Sequence, residues 1–201
     1  GMKGFHYHLG EGQGTSNPVF ITHSAYPVVV DAGSNADPDD AQHLPFPCEV
    51  GGRFKSQSGS WFSFDAKKDQ SYVVEIISQR LNGVSDPVMS LEKVTVDKDG
   101  KQAVAKIGDA DDEGKNIGGR RFPTSHRDPT YLYKADADVK VRIRVRDNYA
   151  TGNPFRLIVR APQPGFDLIM SVPPPFQSNA KSKKVERGGI AIRHGQVGRI
   201  E

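Results

Sequence analysis

The feature that most constrains the fold of this 201-residue chain is an eight-residue run, residues 139–146, in which apolar and basic residues alternate strictly. Valine or isoleucine stands at every odd position, and lysine or arginine stands at every even position. Successive side chains of a β-strand point to opposite faces, so this run predicts a strand with one buried and one solvated face. Residues 155–160 repeat nearly the same alternation after a polar turn, and we predict that the two runs form an antiparallel hairpin.

The other apolar runs have the same two-residue period. Phe62, Phe64 and Ala66 share one face of a predicted strand, and a turn over residues 97–100 closes a predicted hairpin between residues 88–96 and 103–107. No stretch has apolar residues at helical spacing for three turns, and 21 glycines and 14 prolines separate the runs. We therefore predict an all-β protein, a jelly-roll-like antiparallel β-sandwich, with additional β segments at both termini. Its predicted core contains Phe54, Phe62, Phe64, Val74, Ile76, Val141, Ile143, Val145, Leu157 and Val159.

Changes in composition along the chain predict five regions. Residues 1–30 are interpreted as isolated strands short of a sheet, residues 31–44 as an acidic linker, and residues 45–161 as the sandwich. Residues 162–186 are interpreted as a strand followed by a proline-rich linker, and residues 187–201 as the beginning of a new β pattern. We expect the two partial ends to pack together or to pair with another copy of the chain, because unpaired strands are ordered only when something covers them. In that arrangement Ile190, Ile192 and Val197 face Tyr7, Val19 or Ile21.

Several classes of function are disfavoured by the sequence. The single cysteine, Cys48, excludes an internal disulfide and a cysteine metal cluster, and neither a G-x-S-x-G nor an H-E-x-x-H motif is present. A formal net charge of +3 is too small to indicate a nucleic-acid partner, and no apolar stretch approaches the length of a transmembrane helix. We predict neither nucleic-acid binding nor membrane insertion.

A set of basic residues is the most distinctive surface feature that the sequence predicts. If the two alternating runs form a hairpin, six cations share its solvated face: Lys140, Arg142, Arg144, Arg146, Arg156 and Arg160. Such a face suits an anionic glycan. The alternative is that Asp65, Glu75 or other acidic residues on adjacent strands neutralise it, as cross-strand pairs commonly do.

Four blocks of the sequence resemble the bacterial pre-peptidase C-terminal (PPC) domain, in the version common in large exported proteins of planctomycetes. They are PCEVGGRF at residues 47–54, WFSFDAKK at 61–68, SQRL at 78–81 followed by SDP at 85–87, and NIGG at 116–119 followed by RDPTY at 127–131. The resemblance covers roughly residues 27–170. It implies a jelly-roll-like sandwich that is not itself catalytic and that accompanies proteases and other exported enzymes, or repeats in cell-surface proteins. Its partners are then other domains of the same polypeptide, and its location is periplasmic, cell-surface or extracellular. The resemblance also implies that residues 1–30 are the tail of an upstream β domain and that residues 187–201 are the start of a downstream β domain.

The resemblance also implies where calcium would bind. Collagenase-type relatives hold the ion with linker and strand side chains whose positions here are Asp31, Gly33, Asn35, Ala36, Gln57 and Ser60. Only two of these are oxygen donors of the expected type, with Asp37 close by, whereas calcium takes six to eight oxygens. We predict no required cofactor and weak or absent calcium binding at Asp31, Asn35 and Asp37. A non-helical oxygen cage in the acidic loop, residues 109–120, is an alternative site, and a solvated turn is the other interpretation of that loop.

Three functions remain open from the sequence. The first is a non-catalytic accessory, spacer or adhesion module of a larger exported protein, and the second is a module that binds carbohydrate or an anionic glycan through the basic face. The third is an enzyme with a loop site formed by Arg80, Asp86, Arg121, His126 and Asp128. The alternative role for these last residues is to pin long loops to the sandwich through arginine–carboxylate pairs.

Overall fold

The computed structural model describes residues 4–8, 10–11, 14–16, 18–55, 58–114, 124–163, 171–172 and 188–189. The chain divides into one unit of residues 1–114 and 126–163 and another of residues 115–125 and 164–201. The first unit contains β1 (Gly4–Tyr7), β2 (Gly10–Glu11), β3 (Gly14–Thr15), β4 (Val19–Thr22), β5 (Val28–Val30), β6 (Gln42–His43), β7 (Cys48–Arg53), β8 (Ser60–Ala66), β9 (Ser71–Ile77), β10 (Pro87–Val96), β11 (Gln102–Ala110), β12 (Thr130–Lys134), β13 (Val139–Asp147) and β14 (Pro154–Arg160). In the second unit β15 (Ser171–Val172) pairs with β16 (Gly188–Gly189).

Two five-stranded sheets form the sandwich. The first sheet has the order β11-β10-β13-β8-β6, and the second has the order β12-β9-β14-β7-β5. Strands β7 to β14 pair antiparallel and cross between the sheets as an eight-stranded jelly roll does, whereas β5 and β6 add parallel edges. The predicted all-β antiparallel sandwich is therefore confirmed.

The core lies between the two sheets and is made of the apolar faces that the alternation predicts. All ten predicted core residues are buried, together with side chains such as Tyr72 and Phe155. The rings of Phe62 and Phe155, on different sheets, have centroids 6.3 Å apart, and those of Phe64 and Tyr72 are 5.1 Å apart. Each fully buried side chain of this size contributes about 1.5–3 kcal/mol relative to its exposed state, so the core is the main source of stability.

The predicted hairpin between the two alternating runs is wrong. Strand β13 pairs with β8 and β10 in the first sheet, whereas β14 pairs with β7 and β9 in the second. The connection between them is an arch that crosses from one sheet to the other. Buried Asp147 holds this arch, because its carboxylate accepts hydrogen bonds from the backbone N–H groups of Tyr149 and Thr151 and from the Thr151 hydroxyl.

The sheets extend further toward the N-terminus than the predicted boundary at residue 45. Strand β5 lies alongside β7, and β6 lies alongside β8, so parts of the predicted tail and linker belong to the sandwich. Asn35, between these two strands, and Leu44, directly after β6, are buried, and the backbone of Asn35 accepts a hydrogen bond from Trp61 N–H at 2.7 Å. Composition marked this segment as a linker because its contacts with the sheets are polar and few of its side chains are apolar.

Apart from β5, the described strands of the ends pair only with other strands of the same end or unit. Strand β1 pairs antiparallel with β4, and Phe5, Tyr7 and Ile21 on this hairpin are exposed. The predicted partners Ile190, Ile192 and Val197, and the side chain of Val19, lie outside the described residues. The described helices are two short 3₁₀ turns, Pro38–Asp40 and Gln79–Leu81, and neither has the length or the hydropathy that crossing a bilayer requires.

Candidate functional site

Arg80 and Asp128, two residues of the loop-site hypothesis, form a buried ion pair. The Asp128 carboxylate is fully buried, accepts hydrogen bonds from the backbone N–H groups of Ser78, Gln79 and Arg80, and lies 2.8 Å from Arg80 Nε. Arg80 Nη2 also donates to Glu75 Oε1 at 2.8 Å. The four hydrogen bonds use both oxygens of the Asp128 carboxylate and hold the turn after β9. This is the alternative role predicted from the sequence, in which arginine–carboxylate pairs pin long loops to the sandwich.

The other residues of that hypothesis lie elsewhere. The Asp86 carboxylate accepts a hydrogen bond from Asn148 Nδ2 at 3.1 Å, and Asp86 N–H donates to the Asp147 carboxylate. His126 pairs through its backbone with Glu113 in an isolated bridge, and Arg121 lies outside the described residues. Among the described residues, Arg80 and Asp128 therefore belong to a different hydrogen-bond network from Asp86.

Cys48 is buried at the start of β7. Burial, with a smaller contribution from the neighbouring Glu49 carboxylate, raises the pKa of its thiol to about 11. A thiol of this kind is almost entirely protonated at neutral pH and is a poor nucleophile.

The predicted metal residues Asp31 and Asn35 do come together, but they surround a lysine. The ammonium of Lys55 lies 3.2 Å from Asp31 Oδ2 and 3.1 Å from Asn35 Oδ1. Asn35 is fully buried, and its amide also donates to the Trp61 carbonyl at 2.9 Å. Asp37 instead precedes the exposed 3₁₀ turn, where its carbonyl accepts from Asp40 N–H. A cation position exists here, and the protein's own Lys55 occupies it.

A second group of oxygen donors lies at the beginning of the acidic loop. Carboxylate oxygens of Asp86, Asp111 and Asp112 lie within 4.8 Å of one another. Burial raises the pKa of Asp112, and repulsion by Asp111 and Asp86 adds to the shift, while Arg127 and His126 oppose it. Three carboxylates supply three to six oxygens, depending on whether each binds through one oxygen or both, and calcium takes six to eight.

The six predicted cations do not form one face, because β13 and β14 lie in different sheets. On the second sheet Arg156 makes a two-pronged ion pair with Glu49, which also accepts a hydrogen bond from Ser24. Arg160 Nη2 lies 3.7 Å from Glu75 Oε2. For Arg156 and Arg160 the structure shows neutralisation by carboxylates on adjacent strands, the alternative to a free basic face.

On the first sheet the four cations of β13 differ from one another. Arg142 is buried and pairs with Asp39 at 3.0 Å and with Glu92 at 3.5 Å. Lys140 is exposed opposite Asp65 in the strand register. Arg144 and Arg146 are half-buried, and among the described residues neither has a carboxylate within ion-pair distance.

Arg144 and Arg146 line a groove of about 700 Å³ that is open to solvent. It runs over the outer face of the first sheet, where β10, β11 and β13 are neighbours. Most of its lining is polar, and its walls combine cationic and acidic groups. The lining residues are Val88, Ser90, Lys106, Asp109, Asp111, Arg144, Arg146, Asp147 and Asn148.

Two residues that shape these sites, Trp61 and Lys55, were not among the candidates predicted from the sequence. Trp61 lies directly opposite Arg144 in the register of β8 and β13, and the Arg144 guanidinium carbon is 5.7 Å from the centre of the Trp61 indole. The alternation in β8 contained this signal, because Trp61 has the same parity as the outward residues Ser63 and Asp65. Lys55 carried no comparable signal, since its role depends on a contact with a segment twenty residues upstream.

Comparisons with known proteins gave matches to solved structures only. No family model and no curated protein matches the sequence. One similar structure is the PPC domain of collagenase from Bacillus anthracis, with a TM-score of 0.41, 8% identity, and coverage of 60% of this chain and 94% of that chain. Another is CorA, a surface-associated copper-binding protein important in copper acquisition by Methylomicrobium album BG8, with a TM-score of 0.38, 7% identity, and coverage of 61% and 98%. A member of the family that the four sequence blocks resemble is thus among the similar structures.

Proposed function

We propose that this chain is a non-catalytic accessory domain of a larger exported protein, serving as a spacer or adhesion module beside other domains of the same polypeptide. The observation that carries the proposal is that buried acidic and nucleophilic side chains of the sandwich either hold loops in place or are unreactive. Asp128 and Arg80 are committed to holding a turn, Asp147 is committed to holding an arch, and Cys48 is buried with a raised pKa. A catalytic acid or base must instead face an open pocket with its acceptor or donor directions available to a substrate.

The jelly-roll order of strands β7 to β14 supports the same proposal, since the four PPC-like sequence blocks imply a sandwich of this kind. The blocks include residues that the structure places at structural tasks, such as Asp128 in its buried ion pair. Buried charge pairs of this type stabilise one arrangement of the loops, which suits a domain that holds its neighbours at a fixed distance.

A hydrolase screen tests the proposal. The purified chain is incubated with chromogenic esters, chromogenic glycosides and an unfolded protein substrate, and we expect no turnover above buffer. The variants Asp86→Asn and His126→Gln serve as controls for a contaminating enzyme, because a contaminant is unaffected by them. Turnover by the wild-type chain that disappears in either folded variant would overturn the proposal.

A further inference from the structure

We propose that the groove on the outer face of the first sheet binds the acidic groups of an anionic polysaccharide, and that Arg144 and Arg146 are the side chains that hold them. The inference rests on the proposed function, because it names the ligand class of the same non-catalytic domain. It differs from the six-cation face predicted from the sequence, since four of those cations lie outside the groove.

The polar contacts of the two arginines leave their charge available. Arg144 Nε donates to the Ser58 carbonyl at 2.9 Å, and its guanidinium lies over the ring of Trp61. Arg146 Nη1 donates to Asn148 Oδ1 at 2.7 Å. These partners are neutral, so they orient each guanidinium without neutralising it, and the remaining N–H groups can donate to an anion.

The carboxylates in the groove are engaged differently. Asp109 pairs with Lys106, whose hydrogen bond lowers the pKa of that carboxyl; Ser90 adds a hydrogen bond and Arg146 contributes at longer range. Asp147 is buried, and its oxygens accept hydrogen bonds from the arch. Asp111 lies with two other carboxylates. An anionic ligand is therefore repelled from the Asp111 end of the groove and attracted to the arginine end.

The spacing of the arginines favours an extended ligand. Arg144 and Arg146 are two residues apart on one strand, so their Cα atoms are about 7 Å apart. Each guanidinium is oriented by a different partner, the Ser58 carbonyl for Arg144 and Asn148 Oδ1 for Arg146, so the two offer separate positions for acidic groups. A polysaccharide presents acidic groups repeatedly along an open chain and fits a shallow polar groove. Single-stranded nucleic acid would need aromatic rings on which bases stack, but the one tryptophan beside the groove already stacks against Arg144.

The test uses affinity electrophoresis of the full 201-residue chain through gels that contain polygalacturonate, dextran sulfate or neutral dextran, at about 50 mM salt to limit screening. We expect an acidic polymer to retard the wild type and neutral dextran not to. The double variant Arg144→Gln/Arg146→Gln should bind about tenfold more weakly or worse, since it loses charge-assisted hydrogen bonds. The control Lys98→Gln/Lys134→Gln removes the same charge from exposed positions outside the groove and should bind like the wild type.

Retardation by either acidic polymer with selective loss in the arginine variant supports the site, and the polymer that works distinguishes carboxylate from sulfate groups. Equal weakening of the two double variants would show unspecific charge attraction and overturn it, as would absence of retardation of the wild type. The proposed non-catalytic role survives both of those results. If the purified chain shortens the polymer, the proposed non-catalytic role is contradicted, whereas the proposed binding site is not. Equal urea midpoints show that both variants are folded.

Discussion

Replacing Asp128 with asparagine should be among the most destabilising isosteric changes in the sandwich. One carboxylate oxygen accepts from the N–H groups of Ser78 and Gln79, and the other accepts from the N–H and Nε of Arg80. An asparagine keeps one oxygen, so its amide NH₂ must face two N–H donors wherever it is placed. The variant loses two hydrogen bonds and leaves buried donors without acceptors.

The magnitude follows from the environment of the pair. Removing one partner of a buried charge pair costs about 3–5 kcal/mol. The Arg80 side chain is 27% exposed and keeps Glu75 as a second carboxylate, so we expect the lower end, about 3 kcal/mol. With a urea m value of about 1.5–2 kcal/mol/M, the unfolding midpoint should fall by about 1.5–2 M.

The assay is urea unfolding followed by the fluorescence of the single tryptophan, Trp61, and in parallel by far-ultraviolet circular dichroism. The matched control is Asp138→Asn, which removes the same charge from a pair with Lys67 in which both side chains are 63% exposed. We expect this control to change the midpoint little, because exposed pairs are solvated and screened. Equal shifts for the two variants, or no shift for Asp128→Asn, would refute the structural role assigned to Asp128.

Four further predictions concern calcium binding and the other buried groups. Cys48 should react slowly at pH 8 with a disulfide reagent for thiols when the chain is folded, and fully when the chain is unfolded in urea. A rapid reaction of the folded chain would contradict the burial of Cys48. Calorimetric titration should find no calcium dissociation constant below ~10 µM. Lys55→Gln should lower the free energy of unfolding by about 1–2 kcal/mol, because the buried Asp31 carboxylate loses its cation. Burial opposes ionisation of Asp147, but hydrogen bonds from Thr151 and from backbone N–H groups outweigh it and lower the pKa of that carboxyl. Its contribution to stability is therefore complete above the unfolded value near pH 4 and is lost as the pH falls through the lowered value. The difference in urea midpoint between wild type and Asp147→Asn should begin to narrow below about pH 4 and should continue to narrow as the pH falls further.

The strands and the core were predictable because they depend on local pattern. The alternation in β13 places Val141, Ile143 and Val145 inside, and the turn at residues 97–100 joins β10 to β11 as expected. The partner of β13 was not predictable in this way. A six-residue polar connection suits either a hairpin or an arch between sheets, and the choice depends on long-range contacts, among them the burial of Asp147.

The cation position at Lys55 illustrates a second limit. The linker residues Asp31 and Asn35 were identified through the family resemblance, but the sequence pattern did not place an ammonium between them. Lys55 comes just after β7, and Asp31 comes just after β5. The parallel pairing of β5 with β7 is what brings the two residues together. Pairing between distant segments is the information that a local pattern lacks, so a site built across such a pairing is visible only in the fold.

The separation of β13 from β14 also changes what the basic residues imply about function. The number of cations that the alternation places on one face is an upper limit on the number that a ligand can use. The sequence pattern does not show which of those cations are paired with carboxylates. In the fold, Glu49 and Glu75 neutralise the arginines of β14, and Asp39 reaches from the 3₁₀ turn to cover Arg142. The two pairs of β14 join neighbouring strands of the second sheet, and the Asp39 pair holds the 3₁₀ turn against the first sheet. Arg144 and Arg146 differ in having neutral partners that orient them beside an open groove, so the residual charge is concentrated where a ligand has room to bind.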